Sequence, residues 1–165
     1  MTMDLATWLD LQNLYSDYAL ALDAGDLDRW PGFFTEDCLY TLQSRENFDR
    51  RLPLCTLRFE SRGMLMDRVF GAKDTIYHDP YYQRHVVGAP RVRAVGDDGI
   101  RSEASYVVMR TKRDAMAEIL STGRYIDRVV KTPDGLRFAE RQVIFDNDLI
   151  RSEEHTSELQ SPCNL

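Results

Sequence analysis

The chain is poor in cysteine and histidine, the softer metal ligands. It holds three cysteines (Cys38, Cys55 and Cys163), with no CxxC pair, and three histidines (His78, His85 and His155). An odd thiol count in that spacing argues against a disulfide framework or a zinc knuckle, so reduced thiols are expected. No GxGxxG loop and no P-loop occurs, which leaves dinucleotide and nucleotide binding without support. No apolar run approaches the ~20 residues of a membrane span. Met1 is followed by Asp4 instead of a basic segment and an apolar core, so no secretory leader is read and the expected location is the cytoplasm. Blocks of like charge are also missing. With a net charge of −6 and interspersed signs, the surface has no footprint for a phosphate backbone, and nucleic acid is not an expected partner.

What is present is ordinary globular material. The 165 residues are 43% hydrophobic and 29% charged, which suits one domain with a single core. The end of the chain is the exception. Residues 151–161, RSEEHTSELQS, resemble the in-frame translation of a common sequencing adapter, and the apolar alternation of residues 143–150 stops abruptly there. The expectation is a domain over residues 1–150, its natural C-terminus truncated, and an artefactual tail over 151–165. Without the tail's one Arg and three Glu the domain carries −4. His155 and Cys163 leave consideration with it.

Trp8, Leu11, Leu14, Tyr15, Tyr18, Ala19 and Leu22 recur at helical spacing, predicting an amphipathic helix over residues 4–24 that Gly25 stops. Asp26 or Asp28 can cap a short second helix through Trp30, before Pro31 and Gly32 break it. A strand is read at 38–42, an irregular charged excursion at 44–53, and another strand at 56–60. Ser61 can cap a third helix with Met64, Leu65, Val69 and Phe70 on its apolar face. Long strands follow at 83–95, 101–112, 117–131 and 136–147, separated by turn-forming residues, and these predict an antiparallel meander. Apolar residues fall on both strand faces, Tyr125 and Val129 on one, Ile126 and Val130 on the other. Helices can cover one face; the other needs a pocket or another subunit.

Helices followed by a long curved antiparallel sheet make an α+β cone, which resembles the NTF2-like, SnoaL-like and ketosteroid-isomerase-like proteins. That fold selects no function by itself. Three constellations could carry chemistry. His78, Asp79 and His85 could form a 2-His-1-carboxylate metal site, but Asp79-Pro80 forces a turning or extended backbone while His85 enters the next strand; the alternative is a turn aspartate and two hydrogen-bonding histidines. His85 could act as a base with Asp37 or the Tyr40 phenol as partner inside the cone, or could simply bond a neighbouring backbone. Trp30, Phe33, Phe34, Tyr81 and Tyr82 could make an aromatic substrate box, although such clusters more often serve as core or interface anchors. Arg50, Arg51, Arg58, Arg62 and Arg68 read as solvated, paired with carboxylates, or placed in an interface.

A set of segments adds a family resemblance. NLYSDYA (13–19), RWPGFFTEDCLYTL (29–42), RENFDRRLPL (45–54), ESRGMLMDRVFG (60–71), HDPYYQRHVVGAPRV (78–92), SEASYVVMRTK (102–112) and GRYIDRVV (123–130), ordered with this spacing, resemble the small (β) subunit of Rieske-type aromatic-ring-hydroxylating oxygenases, with the salicylate 5-hydroxylase-like branch as the nearest match. The resemblance implies a cone-shaped subunit that assembles with a large (α) subunit as an α3β3 hexamer. It implies that the large subunit carries the Rieske [2Fe-2S] cluster and the mononuclear non-haem iron, and that a reductase and a ferredoxin supply electrons from NAD(P)H. It carries no catalytic, cofactor or metal residue over to this chain. The implied reaction is hydroxylation of an aromatic acid, salicylate to gentisate.

Overall fold

In the computed structural model, which describes residues 3–73 and 81–147, the chain begins with helix α1 (Leu5–Asp23). Asp4 caps it, its carboxylate accepting from the Thr7 amide at 2.7 Å. At the other end Gly25 takes φ +69°. There the Gly25 amide donates to Leu22 and the Asp26 amide to Ala21, so the last carbonyls of α1 are satisfied by the reversal that glycine permits. The short second helix is instead a turn leading into a 3-10 segment at Trp30–Phe33, with Pro31 in its first turn, where a missing amide costs no bond.

Strand β1 (Phe34–Ser44) follows, longer than the sequence pattern suggested. The charged excursion contains helix α2 (Arg45–Asp49), with Ser44 as its N-cap, and then come β2 (Leu57–Phe59) and α3 (Arg62–Lys73). Strands β3 (Tyr81–Val87), β4 (Arg91–Gly96), β5 (Gly99–Lys112), β6 (Glu118–Thr132) and β7 (Gly135–Phe145) complete the sheet. The single strand expected over 83–95 is interrupted at Gly88-Ala89-Pro90, where Pro90 supplies no amide to a ladder. Both halves still pair with β5, in the order β2-β1-β7-β6-β5-β3 with β4 beside β3 on the β5 edge.

One expectation needs correction. The sheet is mixed, because β1 runs parallel to β7. Turn signals specify hairpins between sequence neighbours, but β1 and β7 have no hairpin between them to set their direction.

The concave face of the sheet and the inner face of α1 make the core. Leu11, Leu14, Tyr15, Tyr18 and Leu22 of α1 pack with Trp30, Phe34, Tyr40, Tyr125, Val129 and Phe138. Each such side chain contributes about 1.5–3 kcal/mol of burial relative to exposure. The convex face is covered locally by α2: Ile144 is only 1% exposed, and Arg124 lies over the Phe48 ring at 5.3 Å. Where β6 meets β7, the backbones are too close for a side chain at Gly123, whose added Cβ would stand 2.0 Å from the Ile144 carbonyl oxygen. No helix among the described residues is long and apolar enough to cross a membrane.

Candidate functional site in the cone

Strand register carries a polar row across the concave face. Ser102 of β5 is opposite Asp127 of β6, Asp127 is opposite Arg141 of β7, and Arg141 is opposite Tyr40 of β1. Because side chains alternate along a strand, all four share the face that α1 covers. Arg141 grips Asp127 through two bonds, Nε to Oδ1 at 3.0 Å and Nη2 to Oδ2 at 2.7 Å. The Tyr15 hydroxyl, lowered onto the row by α1, donates to Asp127 Oδ2 and lies 3.0 Å from Ser102 Oγ.

The guanidinium is caged as well as paired. Its carbon lies 3.7 Å from the Phe138 ring centre, 4.2 Å from Tyr18 and 4.3 Å from Tyr125, and the residue is 0% exposed. Ring faces attract the cation. Burial works against its charge, but the charge and hydrogen bonds of Asp127, with Tyr18 and Tyr15 beside it, together hold Arg141 well above the ordinary arginine value. Burial, together with Asp127, pushes the Tyr15 phenol far up. Burial raises Tyr40 and Tyr125 as well and takes Tyr106 up to about 12. These phenols stay neutral at physiological pH. Side chains fill the row, and its chemistry is that of a structural ion pair.

His85 belongs to a different cluster. Its backbone amide donates to both carboxylate oxygens of Asp23, at 2.9 and 3.1 Å, and its Nδ1 is 2.7 Å from Asp23 Oδ1. Both side chains are buried. A carboxylate beside Nδ1 calls for a proton on that nitrogen, and Nε2 is buried without a hydrogen-bond partner. Gln83 completes the junction by donating to the Leu22 carbonyl at 2.7 Å. This ties the end of α1 to strand β3.

The groups singled out in the sequence therefore separate. The carboxylate beside His85 is Asp23; Asp37 is exposed on β1, on the strand face opposite Cys38 and Tyr40. Tyr40 sits among Trp30, Phe34 and Phe59 rings, 5.5 to 5.9 Å between centres, and its hydroxyl has no hydrogen-bond partner. His78 and Asp79 lie outside the described residues, as do His155 and Cys163. Trp30, Phe33 and Phe34 are core residues, whereas Tyr82 is 82% exposed and Tyr81 is half-buried, so the five aromatics do not form one box. Arg50, Arg58 and Arg62 pair with Glu46, Glu60 and Glu36.

Among the described residues no three His, Cys, Asp or Glu side chains converge as a metal site would require. The donors that are described do not fit a Rieske centre, which needs two cysteines and two histidines. Burial raises the Cys38 thiol to about 11, and His85 already gives Nδ1 to Asp23.

Comparison with known proteins places this geometry. A SnoaL-like domain model matches residues 3–142. The anthranilate 1,2-dioxygenase small subunit of Burkholderia cepacia is 34% identical over 152 residues, spanning 92% of this chain and 94% of that protein. The chain belongs to the SnoaL-like small subunits of aromatic-ring dioxygenases. A second relative in that family, the terephthalate 1,2-dioxygenase terminal oxygenase component subunit beta 2 of a Comamonas species, is 26% identical and covers 79% of this chain and 84% of its own length. Among solved structures, the beta subunit of an inferred aromatic-ring-hydroxylating dioxygenase from Novosphingobium aromaticivorans superposes with a TM-score of 0.79 at 33% identity, covering 86% of this chain and 90% of that one. The benzoate 1,2-dioxygenase beta subunit of Burkholderia mallei shares the fold, with a TM-score of 0.73 at 18% identity over 90% of this chain and 94% of that one. As a ring-dioxygenase small subunit, the chain is part of an oxidoreductase.

Proposed function

We propose that residues 1–150 form the noncatalytic structural subunit of a Rieske-type oxygenase, assembling with an iron-bearing large subunit as an α3β3 hexamer. In this reading the large subunit holds the Rieske cluster and the mononuclear iron, a ferredoxin and a reductase deliver electrons, and the complex works in the cytoplasm. The substrate is an aromatic acid, with salicylate to gentisate as the specific reaction. The supporting observation is the near full-length likeness to a dioxygenase small subunit, joined to a cone interior closed by Arg141, Asp127 and their aromatic cage. The relatives named for anthranilate and terephthalate support the aromatic-acid class.

The test is co-expression with Rieske-type large subunits, followed by size-exclusion chromatography and iron analysis. The expected result is a heterohexamer with all iron in the large subunit and aromatic hydroxylation only in the complex. A small-subunit oligomer that ignores every large subunit would sink the proposal. A second reading, a stand-alone isomerase or dehydratase with His85 as base, draws on the buried Asp23–His85 pair. It requires small-molecule turnover by the isolated chain that His85→Gln abolishes.

A further inference from the structure

An open groove of about 510 Å³ runs between the outer face of α1, the 3-10 turn and the start of β7. Its floor includes Phe33 and Leu136, both largely buried. Asp10 and Asp17 stand two helical turns apart on one wall, with Arg29 and Arg137 also lining the groove. Arg29 is engaged within the chain, 3.8 Å from Asp17 and 5.4 Å above the Phe33 ring. Arg137 is half-buried and donates only to the neighbouring Leu136 carbonyl, at 2.8 Å. Among the described residues no carboxylate pairs with Arg137 and no cation pairs with Asp10. One cation and one anion of the same groove are thus left open above an apolar floor. An apolar centre with a charged rim is the anatomy of a protein interface.

Resting on the small-subunit reading, we propose that this groove receives a protruding segment of the large oxygenase subunit. That segment carries a carboxylate for Arg137, a basic side chain for Asp10, and an apolar side chain over Phe33 and Leu136. Charges of both signs select against a small aromatic carboxylate, which Asp10 and Asp17 would repel. A two-fold contact with a second copy whose axis passes through this groove would set one concave surface against another, so shape selects against it.

The experiment co-expresses the full chain with a panel of Rieske-type large subunits, among them that of the Burkholderia cepacia anthranilate dioxygenase, and measures the dissociation constant of the purified pair. Arg137→Glu and Asp10→Lys are compared with Asp67→Lys, an exposed site on α3 that lines no part of the groove. Thermal unfolding of each isolated variant shows whether it is folded. Groove variants that keep the parent melting temperature but bind at least tenfold more weakly, with Asp67→Lys unchanged, support the proposal. Association as tight as the parent in both groove variants overturns it while leaving the small-subunit reading intact. Groove variants that disturb only self-association overturn the choice of occupant in favour of a second copy. An unaltered chain that binds no large subunit overturns the small-subunit reading, and the groove proposal falls with it.

Discussion

The inside of the cone and the outer face of its far strands invert the usual assignment of polar and apolar residues. Inside, Ser102, Asp127, Arg141 and Tyr15 form a buried polar network. Outside, register places Tyr82 beside Thr111, Arg84 beside Met109, Met109 beside Ile119, and Val86 beside Val107. Tyr82, Val86 and Ile119 are exposed there, as is Met116 in the adjoining turn at 91%. A polar group is stable in a core when its bonds are made within the core. An apolar group on a surface has no such closure, and a contiguous patch marks a surface made for contact. The interior makes most of its polar bonds within one chain, the Tyr40 hydroxyl and Arg141 Nη1 being exceptions, whereas the exterior leaves apolar side chains uncovered.

The largest break in that contrast is Arg141→Ala, which strands the Asp127 carboxylate in the core. It should destabilise the protein by about 3–5 kcal/mol in urea unfolding. The double variant Arg141→Met with Asp127→Leu should recover most of the loss, because it removes the pair instead of orphaning one member. Retained stability in Arg141→Ala alone would show that the cage is not closed.

A smaller effect, about 1–3 kcal/mol, is expected from Asp23→Ala, which leaves the buried His85 amide without its acceptor. Hydrogen exchange at that amide should accelerate while exchange in the middle of β6 does not. Uniform acceleration would mean that Asp23 supports the whole domain and not the α1–β3 junction.

Alkaline pH gives a third probe. Burial raises Cys38 from 9.0 to about 11 and Tyr106 from 10.0 to about 12. A raised pKa means that the folded state holds the proton more tightly, so these contributions are complete below the unfolded values and are lost as pH rises through the folded ones. Stability should start to fall near pH 9 and continue falling to about pH 12, with Cys38→Ser blunting the onset. A fall confined to pH below 9 would contradict the burial of both groups.

The smallest expected effect sharpens the comparison. Tyr82→Ser and Ile119→Thr should change stability by no more than about 0.5 kcal/mol. Both should nevertheless reduce recovery with a large subunit; unchanged recovery would remove the outer patch from the assembly surface.

Local patterns in the sequence were readable where local physics decides. Helical spacing placed α1, Gly25 ended it, and turn residues separated β5, β6 and β7. The parallel β1–β7 pair was not readable, since no short segment specifies it. Asp127 and Arg141 carry no residue-type signal of burial, since charges in strands usually face water. Parity held the missed signal: Asp127 is in phase with Tyr125 and Val129, and Arg141 with Val143, all of them buried. Asp37, the carboxylate the sequence offered for His85, is exposed on β1, whereas Asp23 reaches His85 from the end of α1, a pairing of distant segments that no local pattern specifies.

The parallel pairing of β1 with β7 also sets a timetable for biosynthesis. Tyr40 lies opposite Arg141, so β1 leaves the ribosome about one hundred residues before its neighbour. At ~5–20 residues per second the interval is about 5–20 s. During that time Tyr18 and Phe34 lack Phe138 of β7, whose ring packs against both in the folded chain. A nascent chain in that condition is a natural client for a chaperone, and arrest of translation before β7 should leave it there.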